Sequence, residues 1–185
     1  WQVGDLLSVM LLRSYNDAAV ALAEQVSGSV AKFCAEMTKK AKEIGARDTV
    51  FGSPNGLDSH LTAEQHHSTA YDMALIGAYA LENETFREII AQQEIHVSDL
   101  TGGHSCSVTN ADRFLREYSG ALGIKTGYTN RAGHCFVGAA ERDGVRLVSA
   151  VLGSGWGDAG KQKKWTDTKA LMDYGFAAFH PYEAV

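Results

Sequence analysis

The chain has 185 residues, enough for one ordinary domain with its own core and too few for two large ones. With 45% hydrophobic and 21% charged residues it matches an average globular chain, which excludes disorder, collagen and coiled coil. The 17 basic against 22 acidic residues leave a net charge of −5, which argues against a nucleic-acid partner, since phosphate binding needs concentrated positive charge.

Taken in chain order, the first half reads as helical. Residues 4–12 are apolar-rich, and 17–26 are strong helix formers stopped by Gly28. Ser29 is placed to cap a helix in which Val30, Phe33, Cys34, Met37, Ala41 and Ile44 recur at helical spacing. A turn-rich loop follows, Gly52-Ser53-Pro54-Asn55-Gly56. Ser68 is the predicted cap of a helix running to Leu81, and Asn83 of a shorter one through Ile90. The stretch Met73 to Leu81 is the longest apolar run and is too short for a bilayer, which takes about 20 residues.

The second half changes period. Residues 93–99 alternate and turn at Gly102-Gly103 towards 105–109, and 112–118 reads as one short helix. Three strands are predicted at 121–126, 134–141 and 145–152. The last two are joined at Asp143-Gly144, a strong hairpin signal. An amphipathic helix over 161–179 closes the chain. The expectation is a single α+β domain over 1–185, with a helical part over about 1–92 and a sheet part over about 93–185. The three closing strands should form an antiparallel sheet backed by the last helix.

Two motifs carry chemistry, Ser14-Tyr15-Asn16 between two helical segments and Lys125-Thr126-Gly127 ending a strand. A lysine and a hydroxyl at a strand end hold a carboxylate by charge-assisted hydrogen bonds. Gly127 lets a peptide approach the strand edge, Asn16 offers an amide clamp, and Ser14 a hydroxyl for proton relay. Each motif alone has a bland reading, a helix cap for Ser14 and an edge-strand lysine for Lys125.

The flanks decide between these readings. The stretches SYNDAAVALAEQVSGS (14–29), FCAEMTKKAKEIGARDTVFGSPNGLD (33–58), HSTAYDMALIGAYAL (67–81), TNADRFLREYSGALGIKTGYTNRAGHCFVGAAERDGVRLVSAVLG (109–153) and TKALMDYGF (168–176) carry a likeness along almost the whole chain. The sequence resembles the low-molecular-weight penicillin-binding proteins, serine-type D-alanyl-D-alanine carboxypeptidases with S-x-x-K, S-x-N and K-T-G motifs. The resemblance implies a β-lactamase/transpeptidase-like fold that removes the terminal D-Ala of peptidoglycan stem peptides through an acyl-enzyme and is inhibited by β-lactams. It implies no metal and no cofactor, and a place outside the cytoplasm in the bacterial envelope. Membrane attachment would come only through segments absent here.

Residue by residue, Ser14 resembles the S-x-N serine that relays a proton, and Asn16 the asparagine that binds the substrate amide. Lys125 and Thr126 resemble the pair that fixes the terminal carboxylate, beside Gly127. The backbone N–H of Tyr128 falls where the family places an oxyanion donor. Lys164 is the nearest equivalent of a carboxylate-binding arginine, a point charge in place of a fork. Ser14, Asn16, Lys125 and Thr126 are expected to converge on one cleft. The family's S-x-x-K lies several tens of residues before S-x-N, whereas thirteen residues precede Ser14 and none forms that motif. The chain is therefore expected to be N-terminally truncated relative to the family, to expose a sheet edge, and to be inactive alone. Ser29-x-x-Lys32 has the spacing but lies downstream on a helix whose apolar face explains it.

Two alternatives stand beside this reading. A class A-type β-lactamase needs a glutamate in an E-x-x-L-N loop, and no glutamate here opens one. A non-catalytic module that recognises stem peptides or a partner is the other. His66-His67 is expected to be structural, because adjacent histidines diverge on any regular element. Cys34 and Cys135 are expected to be core residues, with no disulfide framework, and Trp1, Trp156 and Trp165 to be packing residues, with Trp156, in a Gly-rich loop, also placed to line a cleft.

Overall fold

The structure, a computed structural model, describes residues 1–180. Helix ends follow the local sequence closely. Helix α1 (Val3–Arg13) stops at Ser14, whose backbone enters the left-handed region at φ 62°, ψ 43° while its N–H returns to the Met10 carbonyl at 3.0 Å. Helix α2 (Asn16–Ser27) closes on Gly28 in the same region. In α3 (Val30–Glu43) the Ser29 hydroxyl accepts the Lys32 N–H at 3.3 Å, so the Ser29-x-x-Lys32 spacing is that of a helix cap.

At α4 (Ala70–Ala80) the cap differs from the expectation. Thr69 Oγ1 accepts the Asp72 N–H at 3.1 Å, while Ser68 Oγ lies 2.8 Å from Thr49 Oγ1. The reason is a buried network that draws Ser68 in. The Asp72 carboxylate accepts the Thr49 hydroxyl at 2.7 Å and the Asp48 N–H at 2.8 Å. Asn83 caps α5 (Glu84–Ile90) as expected, accepting the Phe86 N–H at 2.9 Å.

Strands β1 (Glu94–Ser98) and β2 (Ser105–Thr109) pair antiparallel, with Ile95 opposite Val108 and Val97 opposite Cys106. Val97 and Val108 bury against Val9, Leu12, Ala18 and Ile89. This hairpin therefore belongs with the helices, and the first of two compact units runs over Trp1–Ala111, beyond the expected end of the helical part. The first unit also holds an apolar cavity of about 520 Å³, lined among others by Leu7, Leu11, Met37, Ile76 and Phe86.

The second unit begins at Asp112. A four-residue helix α6 (Phe114–Glu117) leads into β3 (Ala121–Thr129), β4 (Gly133–Arg142) and β5 (Val145–Val151), an antiparallel sheet in the order β3-β4-β5. The β4–β5 turn has φ 49° at Asp143 and 78° at Gly144, the two positive values a type I′ hairpin demands. Helix α7 (Gly157–Ala178) packs on β4 and β5, closing a core of Phe114, Phe136, Ala140, Trp165 and Met172. It begins four residues earlier than expected, with Asp158 in its positively polarised first turn. Close packing depends on a missing side chain at Gly175, where a Cβ would stand 2.6 Å from Leu147 Cδ1. Among the described residues the outer edges of β3 and β5 pair with no further strand. The α+β architecture and the sheet-plus-last-helix layer hold. No helix among the described residues is long and apolar enough to cross a membrane.

Candidate functional site

The expected site residues fall in two groups, one in each unit. In the first unit Ser14 and Asn16 occupy the sharp turn between α1 and α2, both exposed. A non-glycine residue in the left-handed region carries about 1–2 kcal/mol of strain. Ser14 is one of two such residues in the described chain, the other being the hairpin Asp143. The turn thus holds a serine where glycine would be more comfortable. Asn16 opens α2 with its side chain free of the N-cap position, which Tyr15 fills without a side-chain hydrogen bond.

In the second unit Lys125, Thr126, Gly127 and Tyr128 follow one another along β3, which extends three residues further than expected, to Thr129. They pair with Val137, Phe136, Cys135 and His134 of β4, leaving the other edge of β3 without a paired strand among the described residues. Gly127 is exposed, so a peptide backbone can approach that edge. The Lys125 ammonium donates to the Thr126 carbonyl at 3.0 Å. The Lys125 ammonium is pushed down to about 8, chiefly by burial and then by Lys164, with Asp112 opposing the shift.

Lys164, on α7, is 5% exposed, with its ammonium 4.6 Å from the centre of the Trp165 ring. Burial lowers its pKa too, against the pull of Asp112. Asp112 is 2% exposed, and its Oδ1 accepts the Phe114 N–H at 2.8 Å. Burial raises its carboxyl to about 6, opposed by the Phe114 and Leu115 N–H groups and then by Lys164 and Arg116. Lys125, Lys164 and Asp112 therefore make one electrostatically coupled cluster, two cations to one carboxylate. Its excess positive charge in a desolvated place suits an anionic ligand.

Asp112 was not singled out by sequence reasoning, because an aspartate before a short helix looks like any capping residue. Three other expectations change. Trp156 is 59% exposed and Trp1 is also exposed, whereas Trp165 is buried as expected. Cys135 is half-buried, with its sulfur accepting the Gly153 N–H at 3.4 Å, because β4 begins at the sheet's open end; Cys34 is buried in the helical unit. His66 and His67 serve the backbone, one accepting the Gly52 N–H at 3.1 Å and the other lying 2.7 Å from the Ala63 carbonyl.

The D-alanyl-D-alanine carboxypeptidase family model matches residues 1–155. The chain is 35% identical over 181 residues to the D-alanyl-D-alanine carboxypeptidase DacF of Bacillus subtilis, covering 97% of this chain and 44% of that protein. Among solved structures it is similar to a D-alanyl-D-alanine carboxypeptidase from Mycobacterium tuberculosis, with a TM-score of 0.85 and 37% identity over 100% of this chain and 67% of that one. It is also similar to penicillin-binding protein D2 of Listeria monocytogenes in its ampicillin-bound form, with a TM-score of 0.81 and 35% identity over 95% of this chain and 68% of that one. The chain thus spans less than half of the first relative and about two thirds of the two solved chains.

Proposed function

The chain belongs to the D-alanyl-D-alanine carboxypeptidase family, and from that premise we propose that it supplies the substrate-binding part of a serine-type enzyme trimming peptidoglycan stem peptides in the bacterial envelope. The observation that carries this reading is the K-T-G run on the open edge of β3, with Lys125 desolvated beside Lys164 and Asp112. An extended peptide adds to that edge, and its terminal carboxylate takes the Lys125 ammonium and the Thr126 hydroxyl.

In this reading Lys164 reinforces the positive field at the carboxylate. The Tyr128 N–H donates to the oxyanion of the tetrahedral intermediate, Asn16 holds the substrate amide carbonyl, and Ser14 passes a proton towards the leaving amine. The nucleophilic serine and its lysine base belong to an S-x-x-K segment that this sequence does not contain in the family's position. The serine attacks the penultimate carbonyl, the C–N bond to the terminal D-Ala breaks, and water hydrolyses the resulting ester. β-Lactams enter as acylating mimics of the same peptide.

The test is incubation with labelled penicillin and intact-mass analysis. The chain alone stays unmodified, and the family-length protein gains one adduct and releases D-Ala from a pentapeptide. A stoichiometric adduct on the chain alone overturns the assignment of roles, with Ser14 the first serine to examine.

A further inference from the structure

Helices α1 and α2 and the β1–β2 hairpin enclose a second cavity in the first unit, of about 320 Å³. That volume falls within the span of small-molecule sites, roughly 300–1,000 Å³. Its walls are hydrocarbon, with Leu6 and Val9 from α1, Ala18 from α2 and Val97 from β1. Residues four apart share a helix face, which brings Asp5 to the cavity with Val9 and Asp17 with Ala21. The aromatic residues Trp1 and Tyr15 join the lining and stay open to solvent, 47% and 40% exposed.

Neither carboxylate is neutralised by a side chain. Among the described residues no lysine, arginine or histidine pairs with Asp5 or Asp17. Asp17 Oδ1 accepts the Ala18 N–H at 2.9 Å. Each acid stands in the first turn of its helix, where the dipole supplies about half a positive charge. Two carboxylates against two half-charges leave about one negative charge at the cavity. A metal ion is a poor match, since no group of three His, Cys, Asp or Glu among the described residues could hold one. A monocation with a hydrocarbon body fits both the charge and the apolar walls, and exposed ring faces attract such a cation.

Rim and wall are tied together before any ligand arrives. The left-handed turn at Ser14 sends the Tyr15 N–H back to the Val9 carbonyl at 3.4 Å, and Val9 packs with Ala18 and Val97 in the buried core. A site already ordered costs less to fill.

We propose that this cavity binds an alkylammonium ion, its hydrocarbon body on Leu6, Val9, Ala18 and Val97 and its head at Asp5 and Asp17. The site lies wholly in the first unit. None of its lining residues has a role in the carboxypeptidase reading, so the two stand or fall separately.

The experiment titrates this chain at low ionic strength with n-hexylammonium, n-hexanol and n-hexanoate, and follows the methyl resonances of Val9 and Val97. Hexylammonium is expected to bind about 10-fold more tightly than hexanol, from ion pairing and the aromatic rim, and hexanoate more weakly than either. The double variant Asp5→Asn/Asp17→Asn brings hexylammonium to within about 2-fold of hexanol. Hexanol affinity stays unchanged in that variant, which shows that the cavity is intact. Ala21→Phe, at an exposed lining position, weakens hexylammonium and hexanol alike by filling the mouth. Equal affinities for hexylammonium and hexanol in the unsubstituted chain overturn the cationic occupant. Methyl shifts that persist undiminished in Ala21→Phe, or no shift with any probe, overturn the site itself.

Discussion

Asp112 and Lys164 are almost wholly buried, 2% and 5% exposed, and each opposes the effect of burial on the other. Asp112 acts in the same direction on Lys125. Removing one member of a buried charge set leaves the others uncompensated. Asp112→Asn should therefore lower the pKa of Lys125 below about 8. Carboxylate-terminated peptides then dissociate at lower pH. Titration of the lysine side-chain resonances, with peptide binding followed across pH 6–10, checks this. An unchanged Lys125 midpoint in the variant refutes the coupling.

The same groups set the pH dependence of stability, in opposite directions. Lys125 titrates at about 8 when folded and near the ordinary lysine value of 10.5 when unfolded, so between these values the unfolded chain holds more protons and stability rises with pH. Asp112 titrates at about 6 against 3.8, so the folded chain holds more protons between those values and stability falls as pH rises through that window. Lys164, also lowered, adds to the alkaline rise. Urea midpoints should dip around neutrality. Lys125→Met should shrink the alkaline limb and Asp112→Asn remove the acid one; a flat profile across pH 4–10 contradicts both assignments.

Ser14 occupies a left-handed backbone position without being glycine. Ser14→Gly should stabilise the chain by up to about 1 kcal/mol, whereas Ser14→Ala keeps the strain and gains nothing. In the family-length enzyme both substitutions should lower turnover, roughly 100-fold or more, by removing the proton relay. Thermal unfolding and D-Ala release, measured together, separate the two effects. Greater activity in the more stable variant would show that the hydroxyl has no role.

Gly160 sits in the first turns of α7, where alanine would ordinarily favour the helix by about 1 kcal/mol. A Cβ there, however, meets the Gly155 carbonyl carbon at 2.3 Å and its oxygen at 2.5 Å. Gly160→Ala should destabilise the second unit by about 1–3 kcal/mol and displace the loop that carries Trp156. A melting temperature at or above that of the parent chain would show that the loop is free to move away.

Much of this protein was legible in the sequence because its signals are local. The Gly28 stop, the Ser29 and Asn83 caps and the Asp143-Gly144 hairpin depend on neighbouring residues alone, and the structure repeats them. Strand alternation and the helical spacing of apolar residues likewise fixed the α+β architecture, with α7 against the closing sheet. The S-x-N and K-T-G runs, weak alone, pointed to the family together with the contiguous stretches that flank them. What the tertiary structure alone decided depends on partners distant in the chain. Ser68 or Thr69 can each cap α4, and the choice lies with Thr49 and Asp72. Asp112 gains its charge partners from β3 and α7, 13 and 52 residues downstream. Trp156 is by sequence either a packing residue or, from its Gly-rich loop, a cleft-lining one; its indole is tethered to Asn130 and left facing water, because desolvation and pairing energies are set by which groups the fold brings together.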